Sequence, residues 1–164
     1  MADSVVSSRE VLPFIYSVDI SLSASGTGTK TLVLGSDSEF ELYGFEARTS
    51  ADNSNQDGAV IATSSSGSIP AASVNNVIQA PDNFKLLIKD ISTGRDLFTS
   101  SLNRSLVCGN ASNYFIPEGY RIRWPRQNQL QFDFTCLYST LPDNLTALDI
   151  TFALRGYKIF GRMA

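Results

Sequence analysis

The sequence predicts an all-β protein, a jelly-roll-like β-sandwich of about eight short strands. Three observations carry that expectation. Apolar residues recur at every second position in several segments, the pattern of strands with one buried face. Clusters of turn-forming residues break those segments at short intervals. Ser and Thr together number 33, beside 11 Gly, whereas long helices would draw on Ala, Glu and Lys. At 164 residues and 43% hydrophobic, the chain is long enough for one domain with a real core.

From the N-terminus, residues 1–10 read as a polar arm, and residues 11–164 as a single domain. Residues 14–22 form an early strand with Pro13 at its entrance. A short strand at 31–34 and another opening at 39–43 follow. Residues 50–80 are rich in Ser, Asn, Ala and Gly and poor in bulky core residues. They read as a long surface loop, with one weak strand near 59–61. Residues 84–91 resume the strand pattern.

The clearest strand is 130–138, where Leu130, Phe132, Phe134, Cys136 and Tyr138 point one way and Gln131, Asp133 and Thr135 the other. A last strand covers 148–154 and continues past Gly156, a bulge or bend, to residue 160. Turns are expected at 26–28, 35–37, 92–94, 117–119 and 142–144. Phe84, Leu86, Ile88, Leu130, Phe132, Phe134, Phe152 and Leu154 are the expected core. No segment keeps helical periodicity for three turns.

Little in the chain points to catalysis. It has no histidine and two cysteines, so the His-dependent triads are missing and a transition-metal site has almost no ligands. No Ser-x-x-Lys pattern and no phosphate-cradling glycine loop occurs. The expectation is therefore a non-enzyme with no cofactor and no catalytic residue. Asn53-x-Asn55-x-Asp57-Gly58 resembles the start of a calcium loop, but Ser64 stands where the bidentate Glu belongs. A solvated loop is the simpler account.

Cys108 and Cys136 are expected to be free, buried thiols, as in a reducing cytoplasm. No apolar run reaches the ~20 residues of a membrane span, and residues 1–10 lack the pattern of a secretory signal. The three sequons, at Asn103, Asn110 and Asn144, carry little weight in so Ser- and Thr-rich a chain.

Net charge is −3, unevenly spread. Residues 1–82 hold 3 basic and 10 acidic groups, and residues 83–164 hold 10 basic and 6 acidic. Either the fold interleaves the halves and the charges mix, or one acidic and one basic surface suit packing between copies. The densest basic patch is Arg121-Ile122-Arg123-Trp124-Pro125-Arg126. Alternation sets Arg121 and Arg123 on one face, with Ile122 and Trp124 on the other. This is a strand with Trp124 in the core, or an arginine-lined contact surface for a carboxylate-bearing partner. Arg121, Arg123 and Arg126 are the candidate partner contacts. Nucleic acid is a weak option for a chain that is acidic overall.

The segment from residue 84 to 160 resembles the small structural proteins of tailed-bacteriophage virions, especially capsid decoration or cement proteins built as β-sandwiches. The residues carrying the likeness are Phe84…Ile88-Lys89-Asp90-x-x-Thr93-Gly94-Arg95, the Gly109 and Pro117 punctuation, and the closing Leu154-Arg155-Gly156-Tyr157-Lys158. The resemblance implies a virion protein, made in the host cytoplasm and assembled in many copies. Its partners would be the major capsid protein and copies of itself, without nucleic acid or membrane. It supplies no site residues position by position. A tail, collar or fibre component would have a similar composition. A carbohydrate-binding β-sandwich would need exposed aromatics, such as Tyr114, Phe115 and Tyr120.

Overall fold

A computed structural model describes residues 9–53, 82–108, 113–117, 119–142 and 145–161. Among these residues ten strands fill two antiparallel sheets: β1 (Glu10–Leu22), β2 (Thr27–Val33), β3 (Glu39–Thr49), β4 (Phe84–Asp90), β5 (Arg95–Asp96), β6 (Leu102–Asn103), β7 (Asn113–Phe115), β8 (Ile122–Trp124), β9 (Gln129–Cys136) and β10 (Leu148–Phe160). One sheet runs β1-β10-β3-β7, with β8 also on β3; the other runs β2-β9-β4-β5, with β6 also on β4. Each sheet thus has four positions, the fourth filled by two short strands.

The pairings are nested. β1 joins β10, β2 joins β9, β3 joins β7 and β8, and β4 joins β5 and β6. The chain is a long hairpin wound into two layers, which is the jelly roll the sequence predicts. The eight expected core residues are all exposed by 1% or less. Phe132 and Phe134 of β9 pack across the layers onto Phe152 of β10, with ring centroids 5.8 and 6.3 Å apart. Cys108 and Cys136 are free and buried, as expected.

Several boundaries differ from expectation. β1 begins at Glu10, inside the expected arm, and carries Pro13 within it. Proline has no N–H to give a ladder, and an edge strand tolerates it where that side faces solvent. β2 starts at Thr27, so the turn lies earlier, at Ser25 (φ 52°) and the Gly26 N–H to Ser23 carbonyl bond. Gly28 sits in the strand because a Cβ there would strike the Ile20 and Leu22 side chains.

The expected irregularity at Gly156 is real, but the extra residue is on the neighbouring strand. Arg155 pairs with Gly44 and Gly156 with Leu42, leaving Tyr43 bulged. A short helix, α1 (Arg104–Cys108), follows β6 and has no periodic signature in the sequence. The turn at 92–94 is present, and at the next expected one the Tyr120 N–H bonds to the Pro117 carbonyl, with Gly94 (φ 68°) and Gly119 (φ 94°) in the left-handed region.

Ser50–Asn53 form one 3-10 turn after β3. The rest of the expected loop lies outside the described residues, including 59–61 and the calcium-like pattern from Asn55 onward. So do residues 1–8 of the arm. Among the described residues no helix is long and apolar enough to cross a membrane.

Candidate interaction surfaces

The arginine strand is placed as its alternation predicts. Trp124 is buried and Ile122 half-buried against the core, while Arg121 and Arg123 lie on the outer face of the β1-β10-β3 sheet. Both meet carboxylates of β3, the adjacent strand: Arg123 pairs with Glu39, and Arg121 Nη1 lies 3.4 Å from Glu41 Oε1. The Arg121 guanidinium also sits 5.8 Å over the Tyr157 ring.

Further along β3, Glu46 receives Arg155 of β10 at 2.5 Å and Arg48 at 3.1 Å. Tyr43, displaced by the bulge, packs on Tyr157 with centroids 4.9 Å apart. The face is therefore a band of carboxylates clasped from both sides, and a partner's carboxylate must compete with the protein's own. Arg126 stands apart, exposed in the turn between β8 and β9.

The other sheet carries a similar device. Asp133 on β9 accepts hydrogen bonds from Lys89 at 2.7 Å, Gln131 at 2.7 Å and Thr29 at 2.9 Å. Burial alone would raise its carboxyl. The bonds from Lys89, Gln131 and Thr29 outweigh that and hold it below the ordinary carboxylate range. The same contact raises the Lys89 ammonium.

The first residue of α1 is Arg104, a fully buried arginine. It donates to the Ala47 carbonyl at 3.0 Å and lies 6.0 Å over the Phe84 ring. Asn83, buried with it, donates to Thr49 Oγ1 at 2.7 Å. Asp82 accepts from the Ser105 N–H at 2.8 Å, capping the helix start. This cluster pins α1 onto β3 and β4. Burial pushes the neighbouring Cys108 thiol up to about 12, so it is an inert core residue.

A surface the alternation pattern missed is the first half of β1. Among the described residues β1 is paired on one side only, with β10. Val11, Leu12, Phe14 and Ile15 are exposed by 50, 46, 37 and 54%. The signal was the unbroken apolar run from Val11 to Tyr16, which fits a strand covered on both faces rather than one. On the core-facing side of β1, the exposed Phe14 begins an aromatic row. Tyr16 lies 4.8 Å from it, Phe40 5.0 Å further on, and Trp124 stacks on Phe40 at 6.3 Å. The Lys158 ammonium caps the row 4.2 Å over the Phe14 ring and reaches Asp37 at 3.2 Å.

An open depression of about 520 Å³ lies further along the same edge, lined by Asp19, Ile20, Ser21, Lys30, Asp149, Ile150 and Thr151. Its carboxylates are engaged, Asp149 by Ser21 at 2.5 Å and Asp19 by Thr151 at 2.6 Å. No aromatic ring lines it, so it offers a sugar no stacking platform. Of the aromatics suited to a glycan, Tyr120 is 80% exposed, and the side chains of Tyr114 and Phe115 lie outside the described residues. No protein-family model and no curated protein matches this chain.

Proposed function

We propose that this chain is a non-enzymatic structural protein of a virion, which binds and stabilises a capsid lattice in many copies as a decoration or cement protein. The observation that carries the proposal is the nested strand order, β1-β10-β3-β7 facing β2-β9-β4-β5. This is the jelly roll, an architecture that viral capsid domains share with lectins and cupins. Architecture alone assigns no function, so the surfaces add weight. A strand edge apolar on both faces suits protein contact.

On this proposal the partners are the major capsid protein and further copies of the chain. No cofactor, nucleic acid or membrane takes part. Arg121 and Arg123, within the charge band, and Arg126, exposed apart from it, are the contacts for partner carboxylates, which at the first two would exchange with Glu41 and Glu39. Quantitative mass spectrometry of purified particles tests the proposal. A decoration protein is present at a copy number comparable to the capsid protein. A few copies per particle would favour a tail, collar or fibre position instead. The exposed ring of Tyr120 supports a second reading as a carbohydrate-binding module. Binding on a glycan array, with no chain in the particles, would favour it.

A further inference from the structure

We propose that β1 pairs antiparallel with β1 of a second copy, about a two-fold axis at Phe14. The inference deepens the reading of the chain as an assembly subunit and rests on it. The edge itself supplies the first ground. Thirteen residues of β1 are paired with β10 on one side, and the exposed side chains at 11, 12, 14 and 15 are apolar on both faces. Such a strand has the composition of one inside a sheet.

Charge complementarity fixes the occupant and the register. With Phe14 on the axis, Arg9 of each copy stands opposite Asp19 of the other. Val11 then faces Ser17, Leu12 faces Tyr16, and Pro13 faces Ile15. Shifting the axis by one residue either way, to Pro13 or Ile15, leaves both charges opposite uncharged residues. Pro13 fits as well. Its missing N–H belongs on the free side, so the odd-numbered residues present their backbone groups outward and meet odd-numbered residues across the axis. Only the two proline positions lack a donor.

The core side agrees. Tyr16, Val18, Ile20 and Leu22 face inward or are partly covered, so Phe14 points to the same side. The two Phe14 rings would then meet and join the aromatic rows of both copies into one. A two-fold contact of this kind closes on itself, because each copy offers the same patch.

The test is cross-linking of the full chain carrying Phe14→Cys. Residues directly opposite across an antiparallel pair have Cβ atoms about 4.5–5.5 Å apart, near what a disulfide bridges. Both natural cysteines are buried, so background is low. Under mild oxidation Phe14→Cys should form a disulfide-linked dimer. Ser17→Cys, which is displaced from its own symmetry mate along the strand, should remain monomeric. Sedimentation velocity supplies a second readout that leaves Phe14 intact. Asp19→Arg should raise the dimer dissociation constant on the order of tenfold, and Arg9→Asp added to it should restore most of the loss.

A Phe14→Cys chain that stays monomeric, a Ser17→Cys chain that links equally well, or a double variant no tighter than Asp19→Arg would each overturn the proposal. So would a chain that dimerises only after a capsid strand is supplied. If the chain enters particles but fails these tests, the edge pairing falls and the virion reading stands. If the dimer forms and particles lack the chain, the reverse holds.

Discussion

Phe132 and Phe134 sit where the two layers meet, each in contact with the Phe152 ring from the opposite sheet. Truncating either to Ala opens a cavity that the sheets cannot close, and should cost about 3–5 kcal/mol in chemical denaturation. Both residues were legible from alternation alone, because every second side chain of a half-buried strand must be apolar. Asp133, between them on the wet face, governs part of the acid response. Its folded pKa lies below the ordinary 3.8, so its stabilisation is present above that value and lost as pH falls through the folded one. Lys89 is raised above 10.5, so its share is present below that value and lost as pH rises further. Thermal melts of Asp133→Asn from pH 2 to 7 should show a flatter acid limb than the parent; an unchanged slope would remove Asp133 from that account. Arg104 was illegible at this scale. Nothing in its neighbours' pattern distinguishes a buried arginine from a solvated one, since its partners come from Ala47 and Asn83, far off in sequence.

Elements were readable where a strand has one dry face and obscure where it has two of the same kind. β4 and β9 alternate cleanly and β10 does so up to Phe152, and all three lie centrally in their sheets. β1 does not alternate in its first half because neither face is fully covered there, so the pattern marks a strand only from Phe14 onward and leaves Glu10 in the expected arm. α1, at five residues, is too short for a period to register. It exists because Asp82 caps it and Arg104 anchors it. The contact of β10 with β3 makes a sharp prediction. A Cβ at Gly156 would meet the Phe40 ring and the Glu41 carbonyl, and the carbonyl cannot move without breaking the ladder beside the Tyr43 bulge. Gly156→Ala should therefore destabilise the fold by about 1–3 kcal/mol. A melting temperature equal to that of the parent would mean that the bulge absorbs the methyl group.

At the scale of the whole molecule, the nested pairing explains the division of charge along the chain. A jelly roll sets strands from the first half beside strands from the second, so β1 and β3 flank β10, and β3 also flanks β8. Acidic residues of the first half then meet basic residues of the second across strand boundaries: Glu39 and Arg123, Glu41 and Arg121, Glu46 and Arg155, Asp37 and Lys158. The asymmetry that hinted at opposite surfaces is used inside each molecule, which leaves the apolar β1 edge as the stronger ground for contact between copies. The fold class was legible because alternation and turns are local. The pairing of the charges was not, because it depends on which strands become neighbours. The central claim, that this jelly roll works by packing on a capsid lattice, is tested most directly by electron cryomicroscopy of purified particles. Density matching the two-layer β domain should repeat at equivalent positions over the shell. Particles whose shells carry no such density, with the chain absent or confined to a single appendage, would contradict it.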